Sequence, residues 1–205
     1  MPTASGRAAE ARTETGPLVV LLGPSGAGKD TLISYAVREL SRSPDVLFVR
    51  RAITRPADAG SEDHIAMAAE EFDAAIDDGR FSLTWAANGL RYGLPRSIEA
   101  HLAEGKVAVV NGSRGAWNVI RKVFPSAVAV EIRVDPETLA RRLEGRGRET
   151  AAEIEARLKR ATALTSGFEA DVVIDNSGPV EIAGAALVDY IRQAVAASGE
   201  NQALS

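Results

Sequence analysis

A chain of 205 residues, 45% of them apolar, can bury one sizeable α/β core but is short for two, so one domain with an inserted subregion is expected. The net charge of −4 argues against a nucleic-acid or anionic-membrane surface and favours small phosphorylated ligands, although a basic pocket can sit inside an acidic whole. With no cysteine, disulfides, thiolate nucleophiles and Cys-based metal sites are excluded. Residues 1–16 are rich in Ala, Thr, Gly and Glu and contain no apolar run of signal-peptide type, which predicts a disordered tail. No stretch is apolar enough to cross a bilayer, and the expected location is the cytoplasm. From there short β-type runs alternate with longer amphipathic ones, the pattern of a parallel sheet flanked by helices. A strand at Leu18–Leu22, a helix at Lys29–Ser41 and a strand at Leu47–Arg51 come first. Over residues 54–95 the alternation fails: an acidic helix at Glu70–Asp78 and strand-like pieces at Phe81–Trp85 and Leu90–Tyr92 suggest an inserted substrate-binding lobe. The alternation then resumes with helix Ser97–Glu104, strand Val107–Val110, helix Ser113–Phe124, strand Ala127–Val134 and helices Pro136–Glu144 and Ala151–Ser166. Strand Val172–Ile174 and helix Val180–Ala196 complete a domain over 17–197, with 198–205 expected to fray.

The densest chemistry lies between the first strand and the first helix, in Gly23-Pro24-Ser25-Gly26-Ala27-Gly28-Lys29-Asp30-Thr31. Glycines at this spacing let the backbone wrap an anion with its N–H groups, the helix N-terminus adds positive potential, and Lys29 reaches the β- and γ-phosphates of a nucleotide. The run therefore predicts a P-loop that binds ATP with Mg²⁺. One letter departs from the pattern: Asp30 stands where a Ser or Thr hydroxyl usually ligates the metal. Two readings stand for it. A carboxylate in a first helical turn complements the helix dipole, or Asp30 holds Mg²⁺ itself, since the strand ending at Val110 lacks the acidic residue that often supplies a metal contact. Thr31 is then a phosphate-binding or structural hydroxyl. Farther on, Arg141, Arg142, Arg146 and Arg148 bracket Gly145 and Gly147, the punctuation of a mobile lid over about residues 141–157. Arg142 and Arg146 are the expected catalytic cations over the transferring phosphate, with Arg157 a third candidate; a solvated Arg/Glu helix is the structural alternative.

Taken together, the P-loop, Ile53-Thr54-Arg55-Pro56, Glu71-Phe72, Phe81–Trp85, Tyr92-Gly93 and the arginine-rich stretch from Arg141 to Arg148 resemble the guanylate kinase fold family over nearly the whole chain. Gly-Lys-Asp-Thr, Glu62-Asp63-His64-Ile65-Ala66, Gly89–Pro95, Val110-Asn111-Gly112-Ser113-Arg114 and Arg146-Gly147-Arg148-Glu149 are similar, within that fold, to the ribose 1,5-bisphosphate phosphokinases of phosphonate catabolism. The resemblance implies transfer of the γ-phosphoryl of ATP to a sugar bisphosphate. Guanylate kinases bond guanine through a Glu before the Trp and an Asp after a later strand; Thr84 and Gly112 stand at those positions, and losing both acceptors costs a base-binding site several kcal/mol, about 2–6 by the usual scale. Asp58 replaces a second phosphate-binding arginine and His64 a phosphate-binding tyrosine. Arg55 and Arg114 then form the natural pair for a sugar with a phosphate at each end, with Asn111 and Ser113 beside them at the C-terminal edge of the sheet, where open α/β folds bind ligands. His64 reads equally as a substrate donor or a loop residue, and Tyr92 as a packing or phosphate-touching residue. Trp85 and Trp117 are assigned to packing, and Asn176 to the adenine pocket by family analogy. A nucleoside monophosphate kinase of altered base specificity and a non-catalytic binding module are the competing readings, and a homodimer is left open.

Overall fold

Alternate residues of the strand Leu18–Leu22 face opposite sides of a sheet, and all five are fully buried, so both faces must be covered. The computed structural model, which describes residues 15–56, 62–144 and 169–203, shows how. In chain order the elements are β1 (Leu18–Leu22), α1 (Lys29–Leu40), β2 (Val46–Val49), β3 (Ala52–Ile53), β4 (Ile65–Ala66), α2 (Ala69–Asp77), β5 (Phe81–Ala87) and β6 (Leu90–Pro95). They continue with α3 (Ser97–Ala103), β7 (Val107–Asn111), a 3₁₀ turn at Arg114–Ala116, α4 (Trp117–Val123), β8 (Ala127–Arg133), α5 (Pro136–Glu144), β9 (Val172–Asp175) and α6 (Val180–Ala203).

Five parallel strands form the central sheet in the order β2-β7-β1-β8-β9. Leu18, Val20, Leu22, Ala108 and Val110 pack on one side with Ile98, Leu102, Trp117 and Ile120 of α3 and α4. Val19, Leu21, Val109 and Ile132 pack on the other with Leu32 and Ala36 of α1 and Leu187 and Ile191 of α6. The result is the three-layer α/β architecture that the alternation implied. A second sheet, β4-β3-β6-β5, forms the inserted lobe, with β6 antiparallel to both β3 and β5. Its hairpin turns at Asn88 and Gly89, both at positive φ (52° and 73°), the chemistry that an Asn-Gly pair supplies to a tight hairpin.

Beyond the short β3 and β4, for which no strand was expected, and the longer β5 and β6, three elements differ from the sequence expectation. The strand expected to reach Arg51 ends at Val49, and the chain passes at Ala52 into the second sheet, with Arg50 and Arg51 ion-paired to Asp63 and Glu62. The helix expected over Ser113–Phe124 divides into a 3₁₀ turn and α4: Ser113 Oγ accepts from Ala116 N and caps a tighter turn around Gly115, a poor helix former. The last helix runs to Ala203 rather than stopping at Ala196, with the good helix formers Ala197 and Glu200 on either side of Gly199. The expected helix Ala151–Ser166 and most of the 141–157 segment, with Arg146, Arg148 and Arg157, lie outside the described residues.

Candidate active site

The loop after β1 is shaped by glycines at positive φ: Gly23 at 148°, Gly26 at 92° and Gly28 at 88°. At Gly28 the constraint is also steric, because a Cβ there would stand 2.5 Å from Asn176 Nδ2. Asn176, assigned to the adenine pocket, is buried behind the loop and donates through Nδ2 to Ala27 O at 2.7 Å, bracing the loop from below. Arg142 of α5 reaches the same spot: its Nη1 is buried without a hydrogen-bond partner among the described residues and lies 3.8 Å from that Gly28 Cβ position. Lys29 folds back over the loop, donating from Nζ to Gly23 O and Pro24 O at 3.0 Å each. Burial pushes its ammonium down to about 8; Asp30 and Glu62 oppose that shift, and Arg51 and Arg114 reinforce it. Those four side chains, from the loop, the lobe and the end of β7, thus all act on the charge of Lys29.

The lobe brings its charges to the site as a network. Arg51, almost fully buried, forms a two-pronged ion pair with Glu62, Nε to Oε1 at 2.8 Å and Nη2 to Oε2 at 2.7 Å. Its guanidinium lies 4.9 Å from the Tyr92 ring centre and 5.8 Å from that of Trp85, and these two cross-strand rings stack at 5.3 Å. Arg55 Nη2 stands 3.8 Å from Glu62 Oε2 and 3.4 Å from His64 Nδ1. The His64 ring faces two backbone carbonyls, Nδ1 with Glu62 O at 2.9 Å and Nε2 with Arg55 O at 3.2 Å, so it braces the chain between Arg55 and Glu62. Tyr92 thus packs on Trp85 in the hairpin and backs Arg51.

At the C-terminal edge of the sheet, Arg114 Nη2 donates to Glu131 Oε1 at 2.6 Å, and Arg133 Nε takes Glu131 Oε2 at 2.7 Å. Glu131 is fully buried in β8, opposite Leu22. Arg51, Glu62 and Glu131 were absent from the sequence-derived site. For Glu131 the signal was there: a lone acid in the apolar strand AVAVEIR. Ser113 lines the same edge with its hydroxyl engaged in the 3₁₀ cap. Gly112 is closed to any side chain, since a Cβ would meet Val20 Cγ1 at 2.4 Å.

For a metal, no group of three or more His, Asp or Glu ligands occurs among the described residues. Mg²⁺ arriving with a nucleotide needs only one or two carboxylates besides phosphate and water. Asp30 supplies one, and Asn111, which donates from Nδ2 to Asp30 Oδ1 at 2.6 Å, holds a buried Oδ1 with no hydrogen-bond partner among the described residues. The residues fit the ion.

A P-loop followed by a lysine, with arginines converging from an inserted lobe, defines a phosphoryl-transfer site, and the chain belongs to the guanylate kinase family, whose model matches residues 15–194. Within that family its relatives are ribose 1,5-bisphosphate phosphokinases. It is 42% identical over 181 residues to ribose 1,5-bisphosphate phosphokinase PhnN of Agrobacterium fabrum, covering 88% of this chain and 99% of that protein. It is 47% identical over 177 residues to the same-named protein of Acidiphilium cryptum, covering 86% and 93%. Among solved structures, guanylate kinase from Anaplasma phagocytophilum superposes with a TM-score of 0.66 at 22% identity, over 89% of this chain and 88% of that one, which likens the folds alone.

Proposed function

We propose that the chain transfers the γ-phosphoryl group of ATP to the 1-phosphate of ribose 1,5-bisphosphate, giving 5-phosphoribosyl 1-diphosphate and ADP. The observation that carries the choice of acceptor is the closed position at Gly112 together with Thr84. At the two positions where guanylate kinases are expected to present carboxylates to a base, this chain carries Thr84 and Gly112, and at Gly112 there is no space for an acidic side chain. What the site offers instead is cations: Arg51 and Arg114 act on the charge of Lys29, and Arg55 joins Arg51 on Glu62, inside a chain of net charge −4. A small ligand with a phosphate at each end matches two separated arginines, Arg55 on the lobe and Arg114 at the sheet edge.

An oxygen of the acceptor phosphate, already ionised near neutral pH, attacks the γ-phosphorus as the bond to the β-phosphate oxygen breaks, so no side chain has to abstract a proton. Positioning and charge neutralisation do the work. Lys29 exchanges its two loop carbonyls for phosphate oxygens, and Arg142 approaches from α5 beside Gly28. Mg²⁺, when bound, neutralises the nucleotide phosphates, with Asp30 as its protein ligand. By family resemblance the activity serves phosphonate catabolism in the cytoplasm; no helix among the described residues is long and apolar enough to cross a membrane.

An ADP-release assay offering ribose 1,5-bisphosphate, GMP and AMP side by side tests the acceptor. Turnover of the sugar bisphosphate with poor turnover of both nucleotides is expected, and robust GMP turnover without sugar-bisphosphate activity overturns the proposal. In the same assay Arg55→Ala and Arg114→Ala should each raise the KM for the sugar bisphosphate by about tenfold or more, the loss of a charge-assisted hydrogen bond, with ATP affinity near native. A fall in ATP affinity instead would put the two arginines on the nucleotide side.

A further inference from the structure

We infer that Asn111 is the positioning residue for Asp30, and that the two form a metal-binding pair whose chemical roles have exchanged walls. The inference rests on the ATP-dependent kinase reading. In P-loop enzymes the metal is held by a hydroxyl from the loop and by a carboxylate at the end of a neighbouring strand. β1 is flanked by β7 and β8; the acid of β8, Glu131, is taken up by Arg114 and Arg133, and β7 ends at Asn111, in register with Leu21. The loop carries the acid and the strand carries the neutral polar group.

The two exchanged letters touch. Asn111 Nδ2 donates to Asp30 Oδ1 at 2.6 Å across 81 residues of sequence. A carboxylate only accepts, so the amide nitrogen must be the atom that faces it, and the amide orientation is fixed by its partner. The site keeps one negative charge and one neutral group, as in the usual arrangement, with the direction of the connecting hydrogen bond preserved in kind: the neutral group donates and the acid accepts. A dipole-complementing acid in a first helical turn has no need of a buried amide from another strand. Asn111 is 8% exposed, and its Oδ1 has no hydrogen-bond partner among the described residues, an acceptor suited to a water of a hydrated cation beside Asp30. Asn111 thereby moves from the sugar-binding role expected of it to the metal side of the site.

The test compares the native chain with Asn111→Ala, Asp30→Ser and the exchange variant Asp30→Ser/Asn111→Asp. Mn²⁺ affinity in the presence of ADP is read by electron paramagnetic resonance, and metal-free ADP affinity by calorimetry, which also reports an intact loop. Asn111→Ala should weaken Mn²⁺ binding by about tenfold with metal-free ADP affinity unchanged, the size expected for loss of an outer-shell partner. Asp30→Ser should weaken it further, and the exchange variant should recover most of that loss by restoring hydroxyl and carboxylate to their usual walls. Native Mn²⁺ affinity in Asn111→Ala overturns the inference, and so does a folded exchange variant no better than Asp30→Ser. If the exchange variant does not fold, Asn111→Ala alone decides. A chain that shows this metal pattern yet ignores ribose 1,5-bisphosphate keeps the pair and loses the acceptor reading; the converse keeps the acceptor and loses the pair.

Discussion

The loop and the lobe grip anions in different ways. Around residues 23–31 the grip is backbone: three glycines at positive φ, a helix start, and one lysine held by the neutral carbonyls of Gly23 and Pro24. In the lobe and at the sheet edge it is side chain: Arg51 and Arg55 gather on Glu62, and Arg114 shares Glu131 with Arg133. Lys29 can leave its carbonyls for a phosphate without abandoning a charge. A lobe arginine keeps its carboxylate and presents its remaining N–H groups, so it arrives oriented and partly neutralised. Substitutions should therefore separate the two regions, those in the lobe removing stability first and those in the loop removing rate.

Glu62→Ala should give the largest effect on folding. It leaves the Arg51 guanidinium buried against Trp85 and Tyr92 with no counter-charge, and breaking such a pair costs about 3–5 kcal/mol, read as a lower urea midpoint of the ligand-free protein. A loss under about 1 kcal/mol would mean that the pair is no more than an exposed ion pair in effect and would dissolve the contrast. Lys29→Met should do the reverse. Turnover should fall by on the order of 10²-fold or more, about 3 kcal/mol on the barrier, because the charge that follows the migrating phosphoryl is gone. Its melting temperature near neutral pH should not fall, since an apolar chain of similar length removes a buried charge. Native turnover would exclude the P-loop assignment, and a large loss of stability would make the loop as structural as the lobe.

The same contrast explains what could be read from the sequence. The loop was legible because its determinants, the glycines and the lysine, lie within nine consecutive residues, 23–31, directly after an apolar strand and at the start of a helix. The central sheet was legible because buried strands are apolar on both faces. Arg51 and Glu62 were not, because an arginine after a strand and a glutamate in a polar turn look solvated until the chain folds back and pairs them. β3 and β4, two residues each, carry no periodicity at all. Asn111 was placed at the correct edge, but its partner, 81 residues earlier, could only be found by the β1–β7 pairing that brings it to Asp30.

The smallest expected effect is a pH dependence that belongs to the loop alone. Burial holds the Lys29 ammonium down at about 8 in the ligand-free protein, and a triphosphate beside it must push it back up. Binding ATP above that value therefore takes up a proton, and affinity should fall as pH rises, by about tenfold between pH ~7 and pH ~9, where the free lysine goes from mostly charged to mostly neutral. Stability runs the other way. A lysine whose folded value lies below its unfolded one disfavours the native state fully at pH below about 8, and that penalty lifts as pH rises toward 10.5. Relative to Lys29→Met, the native ligand-free chain should thus gain stability over this window while its ATP affinity declines. Calorimetry of ATP binding near pH ~9 in two buffers of different ionisation enthalpy should show uptake of close to one proton, and Lys29→Met should abolish both the uptake and the slope. Flat ATP affinity across the window in the native chain would mean that Lys29 is solvated rather than latched to the loop, and the distinction between a backbone-held and a carboxylate-held grip would fail at its central residue.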